Sequence, residues 1–397
     1  MPNLDHCQQP TLSKRSIGQP TRLGIIGGGQ LAKMLTMEAK KLGFSVQVLD
    51  PTSDSPAGQV SDRQIVGGFF EHDKLRELAT ESDILTYDLE HIDTTSLRTL
   101  EAEGAIIHPA PDLLETLQDK WRQKELFAKA GLPQPAYERM DTLDTDAMRR
   151  FGFPLVQKIR RGGYDGRGVV ILRDASELHR ALNGPSLLER CVPLAKELAV
   201  MVARTKSGEV RTYPVAEMIF DSRSNALDIL LAPARIDDQL ASRARSLAKQ
   251  TAEACGAVGI FGVEMFLTQD GDILVNEVAP RPHNSGHYTI EACRTSQYEQ
   301  HLRAISGLPL GLTDQHTPAA MINLVGEPDA HGQPLVEGLA EALALPGVSV
   351  HLYGKREVRP FRKMGHAVAV DPDPEKALAV ARTIKHIIKI QGDKTHE

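Results

Sequence analysis

Residues 259–287 read GIFGVEMFLTQDGDILVNEVAPRPHNSGH, and this stretch decides the fold predicted for the 397-residue chain. Within it, two apolar runs, Ile260–Leu267 and Ile273–Val278, flank the dipeptide Asp270-Gly271. Apolar runs of this length are typical of buried strands, and Asp-Gly is the strongest short signal for a two-residue hairpin turn. The stretch therefore predicts an antiparallel β-hairpin that turns at Asp270-Gly271.

Two glutamates face each other across this predicted hairpin. With that turn, Glu264 lies opposite Glu277, with Cβ atoms about 5 Å apart. Two carboxylates so placed repel each other unless a positive group lies between them. Because Mg²⁺ takes oxygen ligands and is often held by carboxylates together with substrate phosphates, the pair indicates a metal site, to which Asn276 could add an oxygen. The alternative is a solvated hairpin with two incidental acids, and a one-residue change of turn register would separate them.

A polar loop follows the second strand of the hairpin. Residues 281–287 read RPHNSGH, which places one cation and two imidazoles at the end of an apolar strand. Binding and catalytic groups commonly lie on loops held by a rigid scaffold. The loop therefore favours a binding site over incidental acids.

The composition is that of a soluble globular protein. The chain is 41% hydrophobic and 25% charged, with a net charge of −6, which gives no reason to expect a nucleic-acid or membrane-surface partner. No apolar run is long enough to span a membrane, and residues 1–20 are expected to be a disordered leader without the apolar segment of a signal peptide. The cysteines are widely spaced and show no metal-ligand clustering, so we expect a cytoplasmic location.

An α/β pattern opens the folded part of the chain. A strand, Arg22–Ile26, leads into residues 27–32, GGGQLA, then into a helical pattern and a second strand, Phe44–Leu49, that ends at Asp50. This order matches the dinucleotide fingerprint, in which glycines let a helix N-terminus face an anion and an acid binds ribose. Strands at Asp83–Tyr87 and at residues 105–107 extend the pattern to a doubly wound, mostly parallel sheet.

A long helix is predicted to close this first unit. It runs from about Pro111 to Ala130, contains Lys120, and ends at Gly131 with prolines just beyond. We therefore place the first domain boundary at residue 131.

Hairpins replace the alternating pattern from Phe153 onward. Strands at Pro154–Ile159 and Val169–Leu172 enclose residues 160–168, RRGGYDGRG. Its glycines and arginines suit a flap that lays N–H and guanidinium groups on phosphate oxygens, and a merely mobile hairpin tip is the alternative. Two further strands, Leu187–Val192 and Lys196–Val202, carry Glu189 and Glu197, which as lone acids would most often be surface residues.

A smaller unit follows residues 307–311. It has predicted strands at Val348–Tyr353 and Ala367–Val370 and a helix at Pro374–Ile390. Between the strands, residues 355–363 contain five cations, in KREVRPFRK. Such a run is usually a solvated turn, but in a net-acidic protein it also suits an anion site.

Taken together, four blocks resemble the ATP-grasp superfamily and, within it, the N5-carboxyaminoimidazole ribonucleotide synthetase family. The blocks are LGIIGGGQL (23–31), RRGGYDGRG (160–168), NEVAPRPHNSGH (276–287) and YGK…RKMGH (353–366). The resemblance implies an α/β and α+β protein with three domains. They are a Rossmann-like pre-ATP-grasp domain (21–131), an ATP-grasp domain (132–312) and a small C-terminal α/β domain containing a hairpin (313–397).

The resemblance also implies a carbon–nitrogen ligase of de novo purine biosynthesis. In such enzymes bicarbonate attacks the γ-phosphate of MgATP to give carboxyphosphate and ADP. The carboxyl group then passes, through CO₂ in a closed pocket, to the exocyclic amine of 5-aminoimidazole ribonucleotide. The implied cofactors are ATP and Mg²⁺, with Mn²⁺ as an alternative and no biotin. The implied assembly is a homodimer without a nucleic-acid or membrane partner.

Site residues follow from the same resemblance. Those implied for ATP are Lys120, Lys158, Gly163, Gly166, Gly168, Glu189, Arg190, Cys191, Val192, Glu197, Asn276 and Glu277, with residues 189–192 as the adenine hinge and Glu197 on the ribose. Those implied for the ribotide are Gly28, Gly29, Gln30, Leu31, Glu90, His283, Asn284, Lys355 and Arg362. Those implied for catalysis are Tyr164, Asp165, Arg167, Arg281, His283 and Lys355, and those for the metal are Glu264 and Glu277. Asp165, or alternatively His283, would accept the amine's proton, and Arg356 is the alternative to Lys355 as a phosphate ligand.

Three other functions are open. The first is an ATP-grasp ligase or transformylase for a different ribotide or carboxylate. The second is an NAD(P)-dependent oxidoreductase built on residues 27–50, which leaves the flap, the paired glutamates and the C-terminal cations unexplained. The third is a nucleotide-sensing protein with an inactive site, against which the intact set of cations and acids argues.

Overall fold

The computed structural model describes residues 21–163, 168–221 and 226–393, and its N-terminal part is a parallel sheet flanked by helices. The elements are β1 (Arg22–Ile26), α1 (Gln30–Lys41), β2 (Ser45–Asp50), β3 (Arg63–Val66), α2 (His72–Thr80), β4 (Ile84–Tyr87) and α3 (Thr94–Ala102). The strand order is β3-β2-β1-β4, with every pair parallel. This arrangement confirms the predicted α/β fold of the first unit. Its strands appear in the sequence as apolar runs because helices cover both faces of a parallel sheet.

Two predictions for this part were wrong in detail. The strand predicted at residues 105–107 is only a bridge between Ile107 and Leu85, because Pro109, which follows closely, has no N–H to extend the ladder. The long helix is two helices, α4 (Pro111–Leu117) and α5 (Lys120–Lys129). Asp119 separates them: its backbone is extended and its carboxylate accepts the N–H of Trp121, which caps α5.

A small antiparallel sheet follows. It comprises β5 (Tyr137–Met140), α6 (Thr145–Phe151), β6 (Leu155–Ile159), β7 (Val169–Leu172) and β8 (Ser186–Arg190), with strand order β5-β8-β6-β7. The predicted hairpin strands on either side of the flap are therefore confirmed. Within the flap, Tyr164, Asp165, Gly166 and Arg167 lie outside the described residues.

The rest of the described chain forms a large antiparallel sheet, a separate two-stranded sheet and covering helices. Its elements are β9 (Leu194–Arg204), β10 (Val210–Thr212), β11 (Ala216–Asp221), β12 (Ala226–Ala232), α7 (Asp238–Cys255), β13 (Gly259–Thr268), β14 (Ile273–Ala279), α8 (Thr289–Ala292), α9 (Gln297–Ile305), β15 (Ala319–Val325), β16 (Pro334–Glu337), α10 (Leu339–Leu343), β17 (Val348–Leu352), β18 (Lys363–Val370), α11 (Pro374–Ile387) and β19 (Lys389–Gly392). The order is β14-β13-β9-β11-β12-β15-β18-β17, with β10 beside β9. The helix predicted to reach Ile390 ends at Ile387, because the chain turns extended at Ile388 and pairs as β19 with β16.

Strand β9 fixes the middle of this sheet because both of its faces are buried. Leu198 and Val200 belong to the core that contains residues of α7. Ala199 and Met201 belong to the core on the other side, which contains residues of α1 and α9. The alternation follows from the two-residue period of a strand, and it joins the N-terminal helix to the large sheet.

The hairpin of β13 and β14 places Glu264 opposite Glu277, as predicted, but by a different route. The predicted two-residue turn was wrong: Thr268 donates to the carbonyl of Asp272 at 2.9 Å, so three residues form the loop. That change alone would offset the pairing by one residue. A bulge restores it, because Met265 pairs with Val275 while Glu264 pairs with Glu277, which leaves Asn276 as the extra residue.

The turn geometry gives a first prediction. In the observed loop Gly271 has φ +84°, whereas Asp270 keeps a negative φ, unlike the first residue of a type I′ turn. Gly271→Ala should therefore lower the free energy of unfolding by about 1 kcal/mol, and Asp270→Ala by less than about 0.5 kcal/mol. Urea unfolding of both variants measures this. Equal costs at the two positions would contradict the three-residue loop.

Candidate active site

Charged residues of the hairpin meet lysines from α5 and β6. Lys120 Nζ lies 2.8 Å from Glu277 Oε2. Lys158 Nζ donates to Asn276 Oδ1 at 2.9 Å and lies 2.9 Å from Glu189 Oε2. The bulge is responsible for part of this arrangement, since it gives Asn276 a position outside the regular ladder. The structure thus brings together five residues from four distant segments, all of them predicted for ATP or metal binding.

A buried lysine that the sequence interpretation missed completes the cluster. Lys124 and Glu189 are each only 2% exposed, and Lys124 Nζ lies 3.3 Å from Glu189 Oε1. Burial lowers the pKa of Lys124 to about 8. Burial alone would raise the pKa of Glu189, but Lys158 and Lys124 together hold it below its usual value. The signal was present in the sequence, because Lys124 follows Lys120 by one helical turn on the same face of α5.

The acids of the cluster lie in opposite electrostatic settings. Burial, and then the negative charges of Glu277 and Glu197, raise the pKa of Glu264. Lys120 holds the pKa of Glu277 well below its usual range. Burial raises the pKa of Glu197 to about 7. Glu264 therefore lacks sufficient positive charge from the protein, and a divalent cation between the facing carboxylates would supply it.

The loop after the hairpin is held from two sides. Arg281 Nη2 lies 2.8 Å from Glu90 Oε1, so the predicted catalytic arginine contacts a predicted ribotide residue that follows β4. His283 Nδ1 lies 2.8 Å from Ser285 Oγ, and its Nε2 lies 3.6 Å from Glu264 Oε1. Asn284 carries a buried amide for which no hydrogen-bond partner lies among the described residues. An unpaired buried amide beside a histidine and a carboxylate is typical of a ligand-binding site.

Two carboxylates of the chain itself occupy part of the glycine-rich turn. Gly28 donates its N–H to Asp50 Oδ2 at 2.8 Å, and Gly29 donates to Asp88 Oδ2 at 3.0 Å. Over the described part of the chain, the N–H groups of Gln30 and Leu31 have no acceptor. Of the four residues predicted for the ribotide here, Gln30 and Leu31 therefore keep backbone donors at the N-terminus of α1 for an anion.

Asp50 consequently does not have the role that the dinucleotide fingerprint gives it. Its second oxygen accepts the N–H of Thr52 at 2.8 Å, so both oxygens bond to the backbone. The interpretation of Asp50 as a ribose-binding acid was wrong, because the carboxylate serves to hold the turn.

The C-terminal cations separate into different settings. Lys355 Nζ lies 5.6 Å from the ring centroid of Tyr353 and donates to the carbonyl of Lys363 at 2.7 Å. Arg356 pairs with Asp54 at 2.7 Å. Arg362 donates to the carbonyl of Glu357 at 2.7 Å. Arg356 thus has a carboxylate partner, whereas Lys355 bonds to a main-chain carbonyl, and the choice between them as the phosphate ligand stays a prediction.

The remaining predicted ATP residues lie at the end of β8 and at the two ends of the flap. Arg190 directs its guanidinium to the Phe151 ring and carbonyl, so its side chain packs there. Cys191 and Val192 follow in the turn that leads to β9. Gly163 and Gly168 lie at the two ends of the flap, on either side of the residues outside the described part. The adenine role of residues 189–192 stays a prediction.

Comparison with known proteins assigns the chain to a family. The ribonucleotide synthetase preATP-grasp domain matches residues 21–118, the ATP-grasp domain matches 125–298, and the phosphoribosylaminoimidazole carboxylase C-terminal domain matches 319–380. The N5-carboxyaminoimidazole ribonucleotide synthase of Bacillus subtilis is 40% identical over 361 residues, which cover 89% of this chain and 93% of the relative. The chain belongs to this family.

Solved structures support the assignment. The N5-carboxyaminoimidazole ribonucleotide synthetase of Thermotoga maritima is 54% identical, with a TM-score of 0.88 over 94% of this chain and 100% of that one. The Aspergillus clavatus synthase, solved with ADP and 5-aminoimidazole ribonucleotide, is 34% identical, with a TM-score of 0.84 over 93% and 98% of the two chains. The predicted three-part architecture is confirmed, and the oxidoreductase alternative is wrong. The boundaries at residues 131 and 312 stay predictions.

The buried carboxylate at α1 gives a prediction about pH. Burial raises the pKa of Asp88 to about 6, so between about pH 4 and 6 the folded protein binds a proton that the unfolded chain releases. Wild-type stability should therefore fall as the pH rises from about 4 to 6, relative to Asp88→Asn, whose amide oxygen can still accept the N–H groups of Gly29 and Ala32. The advantage of the variant in free energy of unfolding should reach roughly 3 kcal/mol and stay constant above about pH 6. Urea unfolding from pH 4 to pH 8 tests this, and a difference independent of pH would contradict it.

Proposed function

We propose that this protein catalyses the ATP-dependent carboxylation of 5-aminoimidazole ribonucleotide by bicarbonate. The products are N5-carboxyaminoimidazole ribonucleotide, ADP and phosphate, in de novo purine biosynthesis. One observation carries the proposal: Glu264 faces Glu277 beside Lys120 and Lys158, a grouping of acids and cations suited to MgATP. Relatives that bear this activity as their name match nearly the whole chain.

The first step needs the phosphates held in line with bicarbonate. Lys120 and Lys158 bind phosphate oxygens, and Glu264 and Glu277 hold Mg²⁺, for which Mn²⁺ can substitute. A metal bound there would neutralise negative charge on the phosphates. Lys120 lies 2.8 Å from Glu277, so the phosphate-binding cation and the metal-binding acid would lie side by side when nucleotide binds. Positioning and electrostatics supply most of the acceleration in phosphoryl transfer.

The second step needs a closed pocket. Carboxyphosphate breaks its C–O bond to phosphate to give CO₂ and phosphate, and the exocyclic amine of the ribotide attacks CO₂ and loses a proton. Arg281, oriented by Glu90, and the unpaired amide of Asn284 bind bicarbonate and the imidazole. Asp165 accepts the proton, with His283 as the alternative acceptor. Tyr164, Arg167 and the flap exclude water, which would otherwise consume carboxyphosphate.

The ribotide's 5′-phosphate binds between the C-terminal loop and the N-terminus of α1. Lys355 and Arg362 supply positive charge from the C-terminal loop, and the amides of Gln30 and Leu31 supply donors from α1.

Glu197 binds the ribose hydroxyls of ATP.

Assembly and location are also proposed. The family suggests a homodimer, which sedimentation velocity would test, a monomer being the contradicting result. Cys191, Cys255 and Cys293 are free thiols, as suits the cytoplasm. Over the described residues, no helix has the length and apolar character needed to cross a membrane.

Release of ADP tests the activity and the metal site together. Purified protein with MgATP and bicarbonate should release ADP much faster when 5-aminoimidazole ribonucleotide is added. Glu277→Gln should reduce this rate by roughly a hundredfold or more, because it removes a metal-binding charge and leaves Lys120 unpaired. Glu138→Gln, at an exposed position on β5, is the matched control and should keep the wild-type rate. Absence of stimulation while ATP still binds would exclude this ribotide, and a panel of other ribotides and carboxylates would then follow.

A further inference from the structure

A lysine on α1 holds the backbone of the C-terminal cation loop, residues 352–363. Lys33 Nζ donates to the carbonyl of Tyr353 at 2.9 Å and lies 3.5 Å from the carbonyl of Leu352. In the part of the chain that the structure describes, no carboxylate lies within ion-pair distance of Lys33. A half-buried ammonium that bonds only to main-chain carbonyls is unusual, because such cations normally have an acidic partner.

Two more side chains from the N-terminal region hold the same loop. Gln59 Nε2 donates to the carbonyl of Gly354 at 2.8 Å, and Asp54 pairs with Arg356 at 2.7 Å. Gly354 has φ +78°, and a Cβ at this position would lie 2.5 Å from Gln59 Oε1. The positive φ therefore favours glycine, and an added Cβ would displace the end of the Gln59 side chain. Three contacts thus fasten a loop to residues that lie about three hundred positions earlier in sequence.

The held loop lies next to the proposed phosphate donors. Lys33 follows Gln30 by one turn of α1, which places it on the same side of the helix as an N–H group that has no acceptor. Lys355 follows Tyr353 by two residues, and its ammonium lies over the Tyr353 ring. The carbonyl bonds of Lys33 therefore fasten the backbone that carries Lys355 to a residue one turn after Gln30.

We propose that Lys33 is a positioning residue for the ribotide's 5′-phosphate, which acts by holding Lys355 opposite the N–H groups of Gln30 and Leu31 at the start of α1. The two halves of the phosphate site come from segments 320 positions apart, and Lys33 joins them before the ribotide binds. Preorganisation of this kind strengthens binding, because the entropy cost of ordering the loop is met during folding and does not reduce the affinity for the ligand. This inference rests on the proposed function.

Steady-state kinetics of Lys33→Met test the inference. The variant should raise the KM for 5-aminoimidazole ribonucleotide about tenfold, the effect of losing one buried charged hydrogen bond, and should leave the KM for MgATP unchanged. Lys33→Arg, which keeps a long cationic donor, should restore most of the affinity. Lys40→Met is the matched control, because Lys40 lies on the same helix and pairs with Asp62 at the surface. It should match the wild type.

Hydrogen–deuterium exchange separates positioning from a general loss of stability. In Lys33→Met without ligand, amides of residues 352–363 should exchange faster, whereas those of α1 and of the β13–β14 hairpin should not change. An unchanged KM for the ribotide, or equal increases in both KM values, would overturn the inference. Wild-type protein that does not turn over the ribotide would instead overturn the proposed function, so the two failures are distinguishable.

Discussion

Repulsion between two facing carboxylates is the constraint on which the proposed site depends. Glu264 and Glu277 occupy one cross-strand pair of the hairpin. The protein compensates only one of them fully, because Lys120 contacts Glu277 while Glu264 has a histidine at 3.6 Å. A pair that is left partly uncompensated costs folding stability and gains affinity for a cation that lies between the two oxygen donors. The same need to balance charge explains why Lys158, the amide of Asn276 and the Lys124–Glu189 pair lie around the hairpin.

How the hairpin achieves this pairing shows how far the sequence could be interpreted. Alternating apolar runs and the Asp-Gly dipeptide correctly predicted two strands and the facing acids. The turn was predicted one residue too short, and the bulge at Asn276 was not predicted at all. The two errors cancelled at Glu264. A bulge has no reliable local signal, because it depends on what the bulged residue contacts, and here Asn276 Oδ1 accepts from Lys158 on another sheet.

Contacts between distant segments explain most of what the sequence did not predict. The glycine-rich turn was correctly placed between a strand and a helix, but nothing local shows that Asp50 and Asp88 would accept the N–H groups of Gly28 and Gly29. Lys124 shares a helical face with Lys120, but a charged residue in an amphipathic helix is normally exposed, and nothing local shows that Glu189 of the small sheet would pair with it. Lys33 looks like an ordinary helix surface residue until the C-terminal loop packs on it. Local patterns predict elements, whereas the functional geometry arises where elements meet.

Calorimetric titration with ADP, once with Mg²⁺ present and once with EDTA instead of Mg²⁺, tests the central claim most directly. If the facing carboxylates form a metal site, Mg²⁺ should tighten ADP binding to the wild type, and Glu264→Gln and Glu277→Gln should each abolish this gain. Binding of metal-free ADP should persist in both variants, since Lys120 and Lys158 remain. Full tightening by Mg²⁺ in either variant would contradict the account, because the metal would then be held by other groups.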